Sequence, residues 1–251
     1  MKMSISVSNL TYKIKDRAII NNISFDLDEG NILAILGPNG VGKSTLLKIL
    51  AGIIKPSYGN IFLYGNTPER FRKHISYLPA NYTVDPYATA EDVMFAELYD
   101  NKFFFSKNNR NEIRKWASLF NLNGYLNNPF GSLSSGEQKL VLLAGGFARN
   151  PKVFLLDEPT AFLDISNQAK ILSLIRDLSK RNNITIVLAI HEIYYANIAD
   201  KVILLKKGNI VRYGSPKNVL DKNILKDVYG IELEEMDLNN NKIFLPKDIL
   251  S

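Results

Sequence analysis

The spacing of apolar residues changes several times along the chain, and each spacing predicts a different kind of element. In the first thirty residues apolar and polar positions alternate, in the stretches ISVSNLTYKI and AIINNISFDL. The polar turn KDR separates the two stretches, and the turn sequence DEG follows the second. Alternation with a period of two is typical of half-buried strands, so the chain is predicted to begin with antiparallel strands.

A strand, a glycine-rich turn and a helix are predicted next, from the run NILAIL, the turn GPNGVG and the pattern KSTLLKILAGII. Pro56–Gly59 is predicted to end this helix, and NIFLYG to form another strand. From about residue 90 to residue 149 the apolar spacing is that of helices, in the segments EDVMFAELYD, NEIRKWASLFNL and EQKLVLLAGGFARN.

Three short apolar runs follow, each flanked by turn residues: VFLLDEP, TIVLAIH and KVILLKKG. The helical pattern NQAKILSLIRDLSKR lies between the first two. Buried strands joined by crossover helices predict a parallel sheet that is covered on both faces. The predicted fold class is therefore α/β, with a β-rich start, a parallel-sheet core, a helical insertion and a C-terminal tail.

Composition narrows the class of protein only a little. Of the 251 residues, 46% are apolar and 22% charged, as in a globular protein with a sizeable core. The apolar runs are strand-length, far below the ~20 residues that span a bilayer, and the N-terminus lacks the apolar stretch of a signal peptide. No cysteine is present, which excludes disulfides and fits a cytoplasmic protein. The net charge of +6 fits an anionic partner and a plain lysine-rich surface equally well.

The glycine-rich turn matches the phosphate-binding pattern G-x-x-x-x-G-K-[ST], in the strand–loop–helix context that this pattern requires. Gly37, Gly40 and Gly42 let backbone N–H groups point inward at phosphate oxygens, and the following helix adds its positive N-terminal end. Lys43 is predicted to reach the β- and γ-phosphates, and the Ser44 hydroxyl to ligate Mg²⁺. The turn therefore predicts a nucleotide site.

Two acidic residues stand where the apolar run VFLLDEP ends. Beside a phosphate loop, Asp157 suits a water-mediated contact with Mg²⁺, and Glu158 suits a general base that orients the attacking water. A plain loop start or a helix cap is the alternative interpretation of this pair.

The stretch LSSGE precedes a helical pattern, so Ser134, Ser135 and Gly136 are predicted at a helix N-terminus. Taken alone, the stretch is typical of a capping box. Together with the two motifs above, it is the residue pattern of a second phosphate-binding helix end.

These motifs, in this order, resemble the ATP-binding subunits of ABC transporters over nearly all of the chain. GPNGVGKST resembles the Walker A loop, VFLLDEP the Walker B strand, LSSGE the signature LSGGQ, and AFLD the D-loop. The resemblance implies that ATP and Mg²⁺ are bound. The residues to which it adds a role are Tyr12 for adenine stacking, Asn39 and Thr45 in the Walker A loop, Asp164 in the D-loop, and His191 as the switch histidine that senses the γ-phosphate.

The implied fold is a P-loop NTPase cassette with an N-terminal antiparallel β-subdomain, a parallel-sheet core and a helical insertion. We predict one ABC ATPase domain over residues 1–251. The β-subdomain and core are predicted at 1–84 and 150–215, the helical subdomain at 85–149 and the tail at 216–251. In this family the signature of one copy closes on the γ-phosphate held by another, which implies a head-to-tail homodimer.

The other implied partners are integral membrane permease subunits and, indirectly, an extracytoplasmic substrate-binding protein. The resemblance places the chain at the cytoplasmic face of the membrane, with no nucleic acid as a partner. The tail, from GNIVRYG onward, resembles that of the ATPases serving iron-siderophore, haem and cobalamin importers. Two alternatives stay open, an exporter ATPase and a soluble ABC ATPase that acts outside transport.

The sequence departs from the family pattern at three positions. Ala80 follows Tyr-Leu-Pro where the family has a glutamine, and alanine has no oxygen with which to ligate Mg²⁺ or to orient water. The adjacent Asn81 carries an amide, but in an extended segment it points the other way unless the chain bulges. Ser135 replaces a glycine of the signature, and Leu140 replaces a common arginine. Because the other phosphate- and water-binding groups are retained, we predict altered coupling with hydrolysis kept.

Overall fold

The computed structural model of the protein describes residues 2–98, 107–238 and 241–247. The last two residues of the segment EDVMFAELYD and parts of the tail lie outside these ranges. Two sheets form the body of the described chain. One has three strands in the order β2-β1-β4, and the other has six in the order β5-β6-β7-β3-β8-β9. The strands are β1 (Met3–Ile14), β2 (Arg17–Asp28), β3 (Ile32–Leu36), β4 (Tyr58–Leu63), β5 (Ile75–Leu78), β6 (Val153–Asp157), β7 (Thr185–Ala189), β8 (Lys201–Lys206) and β9 (Asn209–Gly214).

The six-stranded sheet is parallel from β5 to β8, and β9 pairs antiparallel with β8 at the edge. Strands β3, β6 and β7 are buried along their whole length, which explains why they are continuous apolar runs. Successive side chains of β3 face opposite sides of the sheet: Leu33 and Ile35 join one core cluster, and Ile32, Ala34 and Leu36 join the other. The parallel-sheet core expected from the sequence is confirmed.

The antiparallel sheet at the start of the chain is also confirmed. Strand β1 is irregular, because its register against β2 shifts at several points, among them Val7/Leu10 and Leu10/Tyr12. These shifts change which face a given residue of β1 presents.

The helices are α1 (Lys43–Leu50), α2 (Pro68–Phe71), α3 (Ala90–Glu97), α4 (Lys107–Leu119), α5 (Ser135–Ala148), α6 (Ile165–Asn182), α7 (Pro216–Val219) and α8 (Lys222–Tyr229). Short 3₁₀ helices lie at Arg72–His74, Phe130–Ser132 and Ile193–Ile198. Four helices begin at a side chain that accepts a backbone N–H of the first turn, namely Thr89, Ser134, Asp164 and Asp221. Helix α1 ends at Leu50, earlier than predicted, because Gly52 takes a left-handed φ of 69° and closes the helix before Pro56 is reached.

Helices α3, α4 and α5 pack together as a helical lobe, and a row of aromatic rings joins the lobe to the main sheet. Trp116 of α4 stacks on Phe147 of α5, with ring centroids 5.4 Å apart. The rings of Phe147 and of Phe154 in β6 are nearly perpendicular, with their centroids 4.8 Å apart. The α5 backbone can approach β6 closely because residue 146 is a glycine; a Cβ there would lie 2.3 Å from the Phe154 ring.

The tail folds as α8 followed by the antiparallel hairpin of β10 (Leu233–Leu238) and β11 (Asn241–Pro246). The side-chain amide of Asn197, in the 3₁₀ helix after β7, donates to the carbonyl oxygen of Lys242 at 3.2 Å. The tail is thereby attached to the segment that follows β7. Among the described residues, no helix combines the length and the apolar character needed to cross a bilayer.

Candidate nucleotide-binding site

At two positions, the loop between β3 and α1 has a backbone shape that only glycine can adopt. Gly37 has a φ of 147°, and a Cβ there would lie 2.5 Å from the Leu205 carbonyl oxygen. Gly42 has a φ of 111°, and its Cβ would lie 2.9 Å from the Ile19 carbonyl oxygen. No side chain caps α1, so its first N–H groups stay open to an anion.

Lys43 folds back over this loop. Its ammonium donates to the carbonyl oxygens of Gly37 at 2.7 Å and Pro38 at 3.2 Å, and the residue is only 5% exposed. Burial lowers the pKa of Lys43, and the charges of Glu158 and Asp157 oppose that shift. A cavity of about 300 Å³ opens in front of the loop, lined by Ile19, Asn39, Gly40, Gly42, Lys43, Ser44, Thr45, Glu158 and His191.

Ser44 and Asp157 meet at the base of this cavity. The Ser44 hydroxyl donates to Asp157 Oδ1 at 3.0 Å, although the two residues are 113 positions apart. Burial raises the pKa of the Asp157 carboxyl, and the hydrogen bond from Ser44 opposes the shift. A hydroxyl beside a carboxylate is an oxygen-donor pair of the kind that Mg²⁺ accepts when phosphate and water complete its shell. The residues present therefore fit a magnesium ion that arrives with the nucleotide.

Glu158 and His191, which both line the cavity, form a pair. The ring Nε2 of His191 lies 2.5 Å from Glu158 Oε1. Because a carboxylate accepts, this contact places a hydrogen on Nε2. Glu158 has a left-handed φ of 51°, and its N–H donates to the Ala189 carbonyl oxygen at 3.0 Å, which ties the end of β6 to β7. The two strands thereby hold the carboxylate and the imidazole together.

A second cavity of about 310 Å³ adjoins the first at Gly40. Arg17, Ile19, Lys207 and Gly208 are among the residues that line it. Sequence reasoning missed these residues, because Lys207 and Gly208 form the two-residue turn between β8 and β9, nearly 190 positions from β2. The N–H of Asn21 donates to the Gly208 carbonyl oxygen at 2.9 Å, which joins the turn to β2.

Tyr12 lines neither cavity. It pairs with Ile20 between β1 and β2, is half-buried, and packs against the core cluster of the β-subdomain. The adenine contact of Tyr12 stays a prediction.

The signature residues lie at the start of α5 and do not line the phosphate cavity of their own chain. The Ser134 hydroxyl accepts the Glu137 N–H at 3.3 Å, and Glu137 Oε2 accepts the Ser134 N–H at 2.8 Å, so Ser134 and Glu137 form a capping box. Ser135 keeps a negative φ in the first turn, so it replaces the family's glycine without backbone strain. Gly136 is buried, and a Cβ there would lie 2.9 Å from the Asn167 amide.

Asp164 also lies outside this cavity, at the exposed N-terminus of α6. Its carboxylate accepts the backbone N–H and the side-chain amide of Asn167, both at 2.8 Å. Beside it, Phe162 and Ile165 are 89% and 78% exposed. Two large apolar side chains next to a motif residue mark a face that suits a protein partner.

The positions that depart from the family pattern lie near the lobe. Ala80 is half-buried at the end of β5, and Asn81 is exposed and lines neither of the two cavities described above. Leu140 is buried in the main core cluster, so an apolar contact stands where the family has a charge. A groove of about 340 Å³ lies between the segment that follows Asn81 and the helical lobe. It is lined by Thr83, Val84, Asp85, Ala88, Asp92, Val93, Ala96, Glu97 and Leu142.

Comparison with known proteins gives the family directly. The family model described as ABC transporter matches residues 20–161. The petrobactin import ATP-binding protein FpuC of Bacillus anthracis is 32% identical over 98% of this chain and 93% of its own length. The molybdate import ATP-binding protein MolC of Haemophilus influenzae is 33% identical over 97% and 95%.

Solved structures agree with this assignment. An inward-facing metal-chelate type ABC transporter is 29% identical and superposes with a TM-score of 0.88, over 99% of this chain and 100% of its own chain. A dimeric bacterial ABC transporter cassette is 26% identical, with a TM-score of 0.76 over 84% and 98%. The phosphate loop, the paired carboxylates and this likeness over nearly the full length lead to one conclusion: the chain belongs to the ABC transporter family and is an ATP-binding, ATP-hydrolysing subunit of such a transporter.

Proposed function

We propose that the protein powers the import of a metal chelate of the iron-siderophore, haem or cobalamin type. The observation that carries the proposal is the likeness to a metal-chelate type transporter over 99% of the chain, which includes α8 and the closing hairpin. The petrobactin relative supports the same class of substrate. Molybdate import by a relative of similar identity makes a small oxyanion the second candidate.

In the proposed reaction, the open N-terminus of α1 and the Lys43 ammonium hold the phosphates of ATP. Ser44 and Asp157 hold Mg²⁺, which when bound neutralises charge on the phosphate oxygens. Glu158 orients the attacking water and accepts its proton. His191 senses the γ-phosphate and keeps the Glu158 carboxylate in place through the contact at 2.5 Å.

We infer that two copies act together, head to tail. The signature residues Ser134, Ser135 and Gly136 lie outside the phosphate cavity of their own chain, at the N-terminus of α5, which supports a contact with a phosphate held by a second copy. Phe162 and Ile165, which are exposed beside the D-loop residue Asp164, offer an apolar contact to the second copy. Positive helix ends without a phosphate repel one another, so the dimer is expected to need ATP.

The groove between the Ala80 segment and the helical lobe is the proposed seat of the membrane permease, at the cytoplasmic face. Residues 83–85 and 88 line this groove together with residues of α3 and Leu142 of α5. In the same segment Tyr87 is 86% exposed, so its ring is open to a partner. An extracytoplasmic substrate-binding protein takes part only through the permease, and no nucleic acid is involved.

Uptake measurements test the proposed function. A host strain that lacks this gene is complemented with the wild type or with Glu158→Gln, and is given radiolabelled ferric siderophore, haem, cobalamin or molybdate. Wild type is expected to restore uptake of one metal chelate, and Glu158→Gln to restore none while still binding ATP. Restored uptake of molybdate alone supports the second candidate. If the strain that lacks the gene has lost efflux of a compound and its uptake is unchanged, the protein serves an exporter.

A further inference from the structure

Within the described residues, Lys139 is a buried cation that forms no ion pair. It lies on α5, five residues after the capping Ser134, and only 4% of it is exposed. Throughout the part of the chain that the structure describes, no hydrogen bond or ion pair reaches its ammonium. The ammonium lies over the ring of Tyr82, with Nζ 5.2 Å from the ring centroid. Because lysine is almost never buried without a counter-charge, such a position needs an anion to explain it.

The surroundings of Lys139 indicate where that anion belongs. Tyr82 follows Ala80 by two residues. Its ring also packs T-shaped with the ring of Phe130, with the centroids 6.3 Å apart. The ammonium is therefore packed into the same segment in which the family's glutamine is missing. Burial lowers the pKa of Lys139, and the charges of Glu158 and Asp157 oppose this shift, so the ammonium lies within electrostatic range of both site carboxylates.

We propose that Lys139 binds the γ-phosphate of the ATP held by its own chain, from the side of the helical lobe where Ala80 offers no donor. The proposal rests on the ATP-hydrolysing function described above. An ammonium has three donors and a full charge, which suit phosphate oxygens better than a neutral amide does. In the resting protein the two site carboxylates act on the ammonium only from beyond ion-pair distance, and the γ-phosphate supplies a direct counter-charge when ATP binds.

The position of Lys139 gives this contact a second consequence. Helix α5 begins with the signature residues, which are proposed to contact the nucleotide of the second copy. The same helix thus carries groups for both nucleotides, one at its N-terminus and one just over a turn further along. A γ-phosphate that draws in Lys139 therefore also moves the signature.

Binding measurements with purified full-length protein test the proposal. Lys139→Met keeps the length of the buried stem and removes the charge. Titration calorimetry is done with the β,γ-imido analogue of ATP and with ADP, each with Mg²⁺. The variant is expected to bind the ATP analogue about tenfold more weakly and ADP unchanged, since only the former has a γ-phosphate. Lys139→Arg is expected to keep most of the affinity.

Two further variants distinguish phosphate binding from packing. Lys115→Met removes an exposed ammonium that also lies over an aromatic ring, 5.8 Å from Trp116, and is expected to bind both nucleotides as wild type does. Lys139→Met combined with Ala80→Gln is expected to recover part of the lost affinity, because the amide returns a donor. Equal weakening for both nucleotides, or no weakening, would overturn the proposal. A wild type that hydrolyses ATP while Lys139→Met binds normally refutes this inference alone; a wild type without hydrolysis refutes the function beneath it.

Discussion

Glu158 occupies a backbone conformation that few residues other than glycine adopt. A φ of 51° costs a β-carbon residue on the order of 1 kcal/mol, and the hydrogen bond to Ala189 holds the strand end in that shape. The strain directs the carboxylate toward His191 and the phosphate loop. Such outliers cluster where function requires them, which agrees with the role proposed for Glu158.

Ala80→Gln tests the residue at which this chain departs most clearly from its family. The added amide oxygen is expected to strengthen Mg²⁺ binding severalfold, since one hydrogen bond or ligand contact is worth about 1 kcal/mol after desolvation. Calorimetric titration of Mg²⁺ into the ATP-bound protein measures the effect. Asn81→Ala is the matched control: Asn81 is exposed and outside the two cavities, so its loss should leave ATP hydrolysis unchanged. A crippled Asn81→Ala variant would show that Asn81 had already replaced the glutamine.

Motif residues could be predicted from sequence because their chemistry depends on local spacing. Lys43 and Ser44 follow a loop whose shape is set within eight residues, and Asp157 and Glu158 follow a buried strand. Tyr12 is different, since its direction depends on the register shifts of β1, which no local pattern records. The burial of Lys139 beside Tyr82 is likewise a property of segments that pack together only in the folded chain.

The packing of helix α5 depends on a glycine, Gly146, that has no side chain. Alanine at residue 146 would favour the helix by about 1 kcal/mol relative to glycine. A Cβ there would lie 2.3 Å from Phe154, and overpacking of a tight core costs roughly 1–3 kcal/mol. The steric cost outweighs the gain in propensity, because the ring is already held by its neighbours.

Gly146→Ala is therefore expected to lower the melting temperature by ~2–4 °C for each kcal/mol of net loss in a chain of this size. Gly124→Ala is the control, since a Cβ there would have nothing within 4 Å. Both are measured by differential scanning calorimetry. A melting temperature for Gly146→Ala at or above that of the wild type would show that Phe154 moves aside at little cost.

Continuous apolar runs made β3, β6 and β7 predictable as buried strands. The end of α1 was harder to predict, because its apolar periodicity runs to Ile54 while the backbone turns at Gly52. Strand β9 was not predicted as a strand, because its residues are only partly buried and its pairing with β8 is what makes it part of the sheet.

At the scale of the whole molecule, the signature residues do not line the phosphate cavity of their own chain, and we propose that the two meet between two copies. We expect the protein to be monomeric without nucleotide and dimeric when ATP is bound and cannot be hydrolysed. Glu158→Gln with ATP should give a stable dimer. Ser134→Arg in that background should prevent it, because a bulky cation takes the seat of the γ-phosphate.

Light scattering coupled to size-exclusion chromatography measures this association. Ser118→Arg, on the exposed side of α4, adds the same side chain away from the proposed interface and should leave the dimer intact. A monomer under every condition would count against the head-to-tail arrangement. Loss of the dimer in both arginine variants would point to a general effect of added charge.

The stacked pair of Trp116 and Phe147 has a practical consequence. Trp116 is the single tryptophan of the sequence, and it is 2% exposed in the helical lobe, one ring away from a strand of the main sheet. Any rotation of the lobe against the sheet must alter the packing around this indole. The protein thus contains its own fluorophore where the lobe contacts the sheet, and its emission would report such a rotation without an attached dye.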